Sequence, residues 1–69
     1  MIGKYDEEIV NEVGCYLASM WGGELIDAYF NSEDQEYVFN CIENGERFFT
    51  SLTEDDMVEY IEKLKSCMN

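Results

Sequence analysis

The chain has 69 residues, sixteen of them acidic and four basic, with no histidine and a net charge of −12. A surface this negative repels duplex nucleic acid and anionic membrane, both of which are bound through Lys and Arg clusters. No stretch approaches the ~20 apolar residues of a membrane span, and MIGKYDEEIV has neither the basic start nor the apolar run of a signal peptide.

One domain, residues 1–69, is expected, and a chain of this size buries only about 60% of the surface its unfolded form exposes. Hydrophobic residues make up 46% of it and ten residues are aromatic, enough for one thin core. The folded surface expected by size is roughly 4,500 Å². That leaves one uncompensated negative charge in about 400 Å², a self-repulsion that favours solubility and lowers stability. Cys15, Cys41 and Cys67 are odd in number and lack CxxC spacing. They are expected to be reduced thiols in a cytoplasm, acting as small buried hydrophobes.

Apolar residues at 9, 10, 13, 16, 17, 20 and 21 have helical spacing with a wide apolar face. This predicts a first helix from Asp6 to Trp21, with Asp6 as N-cap, Glu7 and Glu8 in the first turn, Tyr5 stapled on Val10, and Gly22-Gly23 as the stop. ELIDAYFN (24–31) changes to period two and predicts a strand, followed by turn residues 31–34. QEYVFNCIE (35–43) alternates again, Asn44-Gly45 is a type I′ hairpin signal, and ERFFTSL (46–52) returns.

A two-residue loop at 44–45 pairs Glu43 with Glu46, Cys41 with Phe48, Phe39 with Thr50 and Tyr37 with Leu52. The first hairpin is expected to pair Phe30 with Gln35, Ala28 with Tyr37 and Ile26 with Phe39. The predicted core face then holds Ile26, Ala28, Phe30, Tyr37, Phe39, Cys41, Phe48 and Leu52, with Tyr16 and Trp21 also in the core. The reverse face holds Leu25, Asp27, Tyr29, Glu36, Val38, Asn40, Ile42, Arg47, Phe49 and Ser51.

The last segment predicts a second helix capped by Thr53, with Asp56 at the capping-box position and Glu54, Asp55 and Asp56 matched to the helix dipole. Met57, Ile61, Leu64 and Met68 form its buried stripe. The expected fold is α+β, in the order α-β-β-β-α: a three-stranded antiparallel meander with both helices on one face.

Catalysis is not expected, because there is no histidine to serve Cys-His or Ser-His chemistry and sixteen acids make chance carboxylate pairs uninformative. Neither a metal nor a cofactor is expected: NSEDQE lacks the spacing and glycine of a calcium loop, and no phosphate-binding loop is present. Solubility alone accounts for many surface acids, but it explains their positions poorly. Asp55, Glu59 and Glu62 fall at i, i+4 and i+7, where like-charged neighbours cost roughly 0.2–0.5 kcal/mol each, and Glu43 opposes Glu46 across the hairpin. Glu59–Lys63 and Glu62–Lys65 are the expected compensating pairs. Carboxylates one helical turn apart are separated by about 6 Å along the axis and alternate strand residues by nearly 7 Å. Both spacings lie close to two ~3.4 Å backbone steps of B-DNA.

The small size, the acidity, the α-β-β-β-α order and the acid-rich segments NSEDQE and ENGER resemble small phage-encoded anti-CRISPR proteins that act as DNA mimics. The resemblance covers the whole chain in charge and topology and rests on no diagnostic motif. It implies an inhibitor in the host cytoplasm that blocks the DNA-binding, motif-reading site of a CRISPR effector complex. On this reading the contacts to a basic nucleic-acid-binding protein surface are Asp27, Glu33, Asp34, Glu36, Glu43 and Glu46 with Asp55, Glu59 and Glu62, while Arg47 holds local geometry. Two alternatives share the same charge: an immunity protein or antitoxin for a basic protein, and a homodimer through Leu25, Tyr29, Val38, Ile42 and Phe49.

Overall fold

The computed structural model describes residues 2–67. Helix α1 (Glu7–Met20) leads into strands β1 (Glu24–Asn31), β2 (Glu36–Glu43) and β3 (Glu46–Thr53), and helix α2 (Glu54–Cys67) comes directly after them. The strands form an antiparallel sheet in the order β1-β2-β3, so β2 is central. Helix α1 lies mainly over β1 and α2 over β3, with the two helices touching each other.

Burial follows from that layering. Val10, Val13, Leu17 and Ala18 of α1 and Met57 of α2 close over Tyr37, Phe39 and Cys41 of the central strand and Leu52 of β3. Ile61 and Leu64 continue the α2 stripe at the margin of this core, and Met68 lies outside the described residues. Among the described residues no charged side chain is buried, and buried Tyr37 carries its hydroxyl to Glu54. Core energy therefore comes from apolar contact and from the ladder.

The second hairpin has the expected register throughout, from Glu36 opposite Thr53 to Glu43 opposite Glu46. Asn44 (φ 51°) and Gly45 (φ 82°) supply the two positive torsions of a type I′ turn. The start of α2 also agrees with expectation: the Thr53 hydroxyl accepts from the Asp56 N–H at 3.3 Å, and the Asp56 carboxylate accepts from the Thr53 N–H at 3.5 Å.

The first hairpin corrects the expected register by two residues. Ala28 pairs with Phe39 and Phe30 with Tyr37, so the loop is Ser32–Gln35 and Asn31 remains paired, opposite Glu36. The cause is local: the Asn31 side-chain oxygen accepts from the N–H groups of Glu33 and Asp34, at 3.0 and 3.4 Å. This holds the turn one residue later than composition suggests, and Gln35 at φ 56° completes it.

A bulge at Ile26 makes a second correction. Leu25 pairs with Cys41 but Asp27 pairs with Asn40, so Ile26 is the extra residue. Ile26 is thrown outward, 47% exposed, and Leu25 joins the core in its place. The residue above explains the exchange: a Cβ on Gly14 would lie 2.8 Å from Leu25 Cδ2 and 2.8 Å from Phe39 Cδ1. Glycine there lets α1 settle on the sheet, and Leu25 fills the space beneath it.

Other expectations change at the periphery. Asp6 is the N-cap residue of α1 but makes no side-chain capping bond. Tyr5, expected to staple on Val10, packs against the core that contains Val10 and also meets Tyr37 at a tilt, with ring centroids 5.7 Å apart. Cys15 is exposed and only Cys41 of the two described thiols is buried; the Cys67 side chain lies outside the described residues. Trp21 is 62% exposed rather than core, because the chain turns away beneath it. Gly22 (φ 79°) donates to Ser19 O and Gly23 to Ala18 O, a Schellman ending that closes α1 just before the ring can be covered.

Candidate functional site

Both helices cover the same side of the sheet, so its other side is open. Alternation places Asp27 and Tyr29 of β1, Val38 and Asn40 of β2, and Phe49 and Ser51 of β3 on that open face. Tyr29 is 50% and Phe49 73% exposed, as the sequence led us to expect, while Val38 between them is nearly covered.

The nine acids read from the sequence are not one array. Asp27 lies on the open face and accepts a 2.6 Å hydrogen bond from the Asn40 amide. Glu36 shares that face at the end of β2, and Glu33 and Asp34 occupy the adjoining loop, where Asp34 accepts from the Asn31 amide at 3.2 Å. Glu43 and Glu46 lie at the opposite end, about 24 Å along β2 from Glu36 at the usual rise per residue. They have the parity of Cys41 and Phe48, so they sit on the helix-bearing side. Asp55, Glu59 and Glu62 are exposed on α2. The chain thus presents an acidic sheet end, an acidic hairpin and an acidic helix face.

Few cations temper this charge. Among the described residues the one ion pair is Lys63–Glu59 at 4.0 Å; Lys63 also lies 4.9 Å over the Tyr60 ring, and the expected Glu62–Lys65 pair is not formed. Glu43 stands close to the end of α1. Its carboxylate oxygen lies 3.6 Å from where a Cβ on Gly22 would stand, at the carbonyl end of α1, whose last turn holds no basic residue. Helix dipole and cross-strand Glu46 both disfavour a negative charge there.

The same end carries a feature that helical spacing did not reveal. Trp21, Glu43, Glu46, Phe48 and Thr50 line a cavity of about 600 Å³ that also reaches Arg47 and Phe49. Covering falls off along β3 from Leu52, which is buried, through Thr50 and Phe48, which are half-buried, to Glu46, which is exposed. The Gly22-Gly23 stop was the available signal: it ends α1 at Met20, so the helix does not run on past Trp21.

A second cluster joins the chain's start to α2. The Tyr5 hydroxyl donates to Glu54 Oε1 at 2.8 Å and the Tyr37 hydroxyl to Glu54 Oε2 at 3.4 Å, while the Lys4 N–H donates to Tyr37 Oη at 3.1 Å. Burial, then the hydrogen bond to Glu54 and its charge, push Tyr5 up to about 12. Because the folded value exceeds the ordinary value of about 10, protonated Tyr5 stabilises the fold fully below pH 10. That contribution is lost as pH rises from 10 through 12. Phenolate absorbance should therefore show one step near pH 12 that moves towards 10 in Glu54→Gln. A titration with no such late step would contradict the contact.

Burial, and after it the neighbouring Cys15, push the Cys41 thiol up, which holds it in the unreactive protonated form. Among the described residues no three Cys, Asp or Glu side chains converge as metal ligands, and no helix is long and apolar enough to cross a membrane. No protein-family model matches the chain, and neither a curated protein nor a solved structure is significantly similar to it.

Proposed function

We propose that this protein is a non-enzymatic inhibitor of the anti-CRISPR kind, working in the host cytoplasm, whose carboxylates take the place of DNA phosphates in the basic cleft of a CRISPR effector complex. The observation that carries the reading is the lack of internal compensation: a net charge of −12 is met by one ion pair among the described residues. Glu43 stays acidic at a helix C-terminus opposite another glutamate, where lysine would be the stabilising choice. A basic partner relieves that strain on binding and gains charge-assisted hydrogen bonds, while the negative field speeds encounter.

The distribution of acids refines how such a partner is met. Asp27 and Glu36 share the open face with the exposed Tyr29 and Phe49, so anchoring by the two aromatics is combined there with carboxylate contacts, while Glu43 and Glu46 meet the partner from the helix-bearing side. Affinity for a purified CRISPR effector complex is expected to fall steeply with rising salt. Binding that is indifferent to ionic strength would contradict an acid-driven interface.

The exposure of Ile26, Tyr29 and Phe49 favours a second reading, a homodimer through the open face. Sedimentation tests it: a monomer at micromolar concentration removes the dimer, whereas a dimer would leave the inhibitor reading standing.

A further inference from the structure

The cavity beside Trp21 runs along a free strand edge. Strand β3 pairs only with β2, and no backbone hydrogen bond outside the helices and the sheet reaches it among the described residues. Its outward N–H and C=O groups are therefore open to another strand. Phe48 and Phe49 project to opposite faces of β3 and both line the cavity, so the groove wraps the edge rather than lying on one side of the sheet. On the helix-bearing side its walls are Trp21, Glu43 and Glu46, and neither glutamate has an intramolecular cation at ion-pair distance among the described residues.

We propose that this groove receives an extended segment of the protein partner, hydrogen-bonded along β3, with arginine or lysine side chains directed onto Trp21, Glu43 and Glu46. This rests on the reading of the protein as a binder of a basic protein surface, and narrows that surface to a strand. Strand addition sends alternate side chains to the two faces. One set meets two carboxylates and an indole, a combination suited to guanidinium or ammonium, and the other meets Phe49 and Arg47, whose charge disfavours basic residues there. The segment that fits thus alternates basic with apolar residues. Charge decides against a second copy as the occupant, since it would bring another chain of net charge −12 against Glu43 and Glu46.

The single tryptophan of the chain makes Trp21 its own reporter. The probe is a synthetic peptide alternating arginine and valine, titrated at low salt while Trp21 emission is followed. A saturable change is expected. Glu43→Gln with Glu46→Gln should weaken binding about tenfold, whereas Glu8→Gln with Glu12→Gln, exposed on α1 and at the same net charge, should leave it within about twofold. N-methylation of alternate peptide nitrogens, which removes strand pairing but no charge, should also weaken it about tenfold. Equal losses from the two double variants, indifference to N-methylation, or no saturable change in emission would overturn the assignment. A dimer at the titrating concentration that Trp21→Ala dissociates would give the groove to a second copy and overturn it too. No effector complex is present in this assay, so its failure is distinct from failure of the inhibitor reading, which only competition with DNA measures.

Discussion

Phe39→Ala should be largely unfolded at room temperature. Phe39 is fully buried at the middle of the central strand, between Ala28 and Thr50 in the ladder, and its ring is the surface on which α1 rests at Gly14. Truncating a buried phenylalanine costs about 3–5 kcal/mol through lost transfer energy and the cavity left behind. A domain of this size holds roughly 3–10 kcal/mol in total, so the loss approaches the whole. Phe49→Ala is the matched control: its ring is 73% exposed, and the change should fall within about 1 kcal/mol. Urea unfolding followed by far-UV circular dichroism measures both. A Phe39→Ala midpoint close to that of the parent would mean that the core is not centred on β2.

Charge reversal should separate function from stability. In the triple variant Glu36→Lys, Glu43→Lys, Glu46→Lys, inhibition should be lost while the fold is at least as stable as the parent. Lysine at position 43 stands at the C-terminal end of α1 beside Gly22, where a cation is favourable by about 0.3–1 kcal/mol. The cross-strand pair at 43 and 46 stays like-charged, but each of the three reversals adds two positive charges, which takes the net charge from −12 to −6 and lowers the overall self-repulsion. Thermal unfolding reads stability, and protection of target DNA from an effector complex reads inhibition. Unchanged inhibition would move the contact surface elsewhere. Asp55, Glu59 and Glu62 would then be reversed next, with the complication that Glu59 also holds Lys63.

How much of the fold was legible in the sequence depended on whether a local rule decided the outcome. Asn44-Gly45 admits one two-residue turn, so the β2–β3 register followed from it, and Thr53 with Asp56 marked the start of α2 through a pattern that needs no tertiary knowledge. The β1–β2 register had no such anchor. Asn31, Ser32, Glu33 and Asp34 all suit a turn, and the Asn31 side chain chose among them by bonding forward to Glu33 and Asp34. Leu25 and Ile26 are adjacent apolar residues, so alternation alone does not say which points inward. The answer lay in Gly14, on another element.

The candidate site divides in the same way. That Tyr29 and Phe49 face outward follows from parity, and both are exposed. The grouping of the acids did not follow, because the side on which Glu43 and Glu46 stand matters only once the helices are known to leave that end of β3 uncovered. Trp21 fitted a helical stripe and looked like core until the chain turned at Gly22. The link from Tyr5 to Glu54 joins residues 49 positions apart, and no short-range pattern reports such a contact.

The most direct test of DNA mimicry is the mobility of a labelled target duplex mixed with a purified CRISPR effector complex that has first been incubated with this protein. The duplex is expected to stay free in proportion to the protein added, and the charge-reversed triple variant is expected not to protect it. A complex that binds the duplex equally well with and without the protein, across the effector types tested, would contradict mimicry.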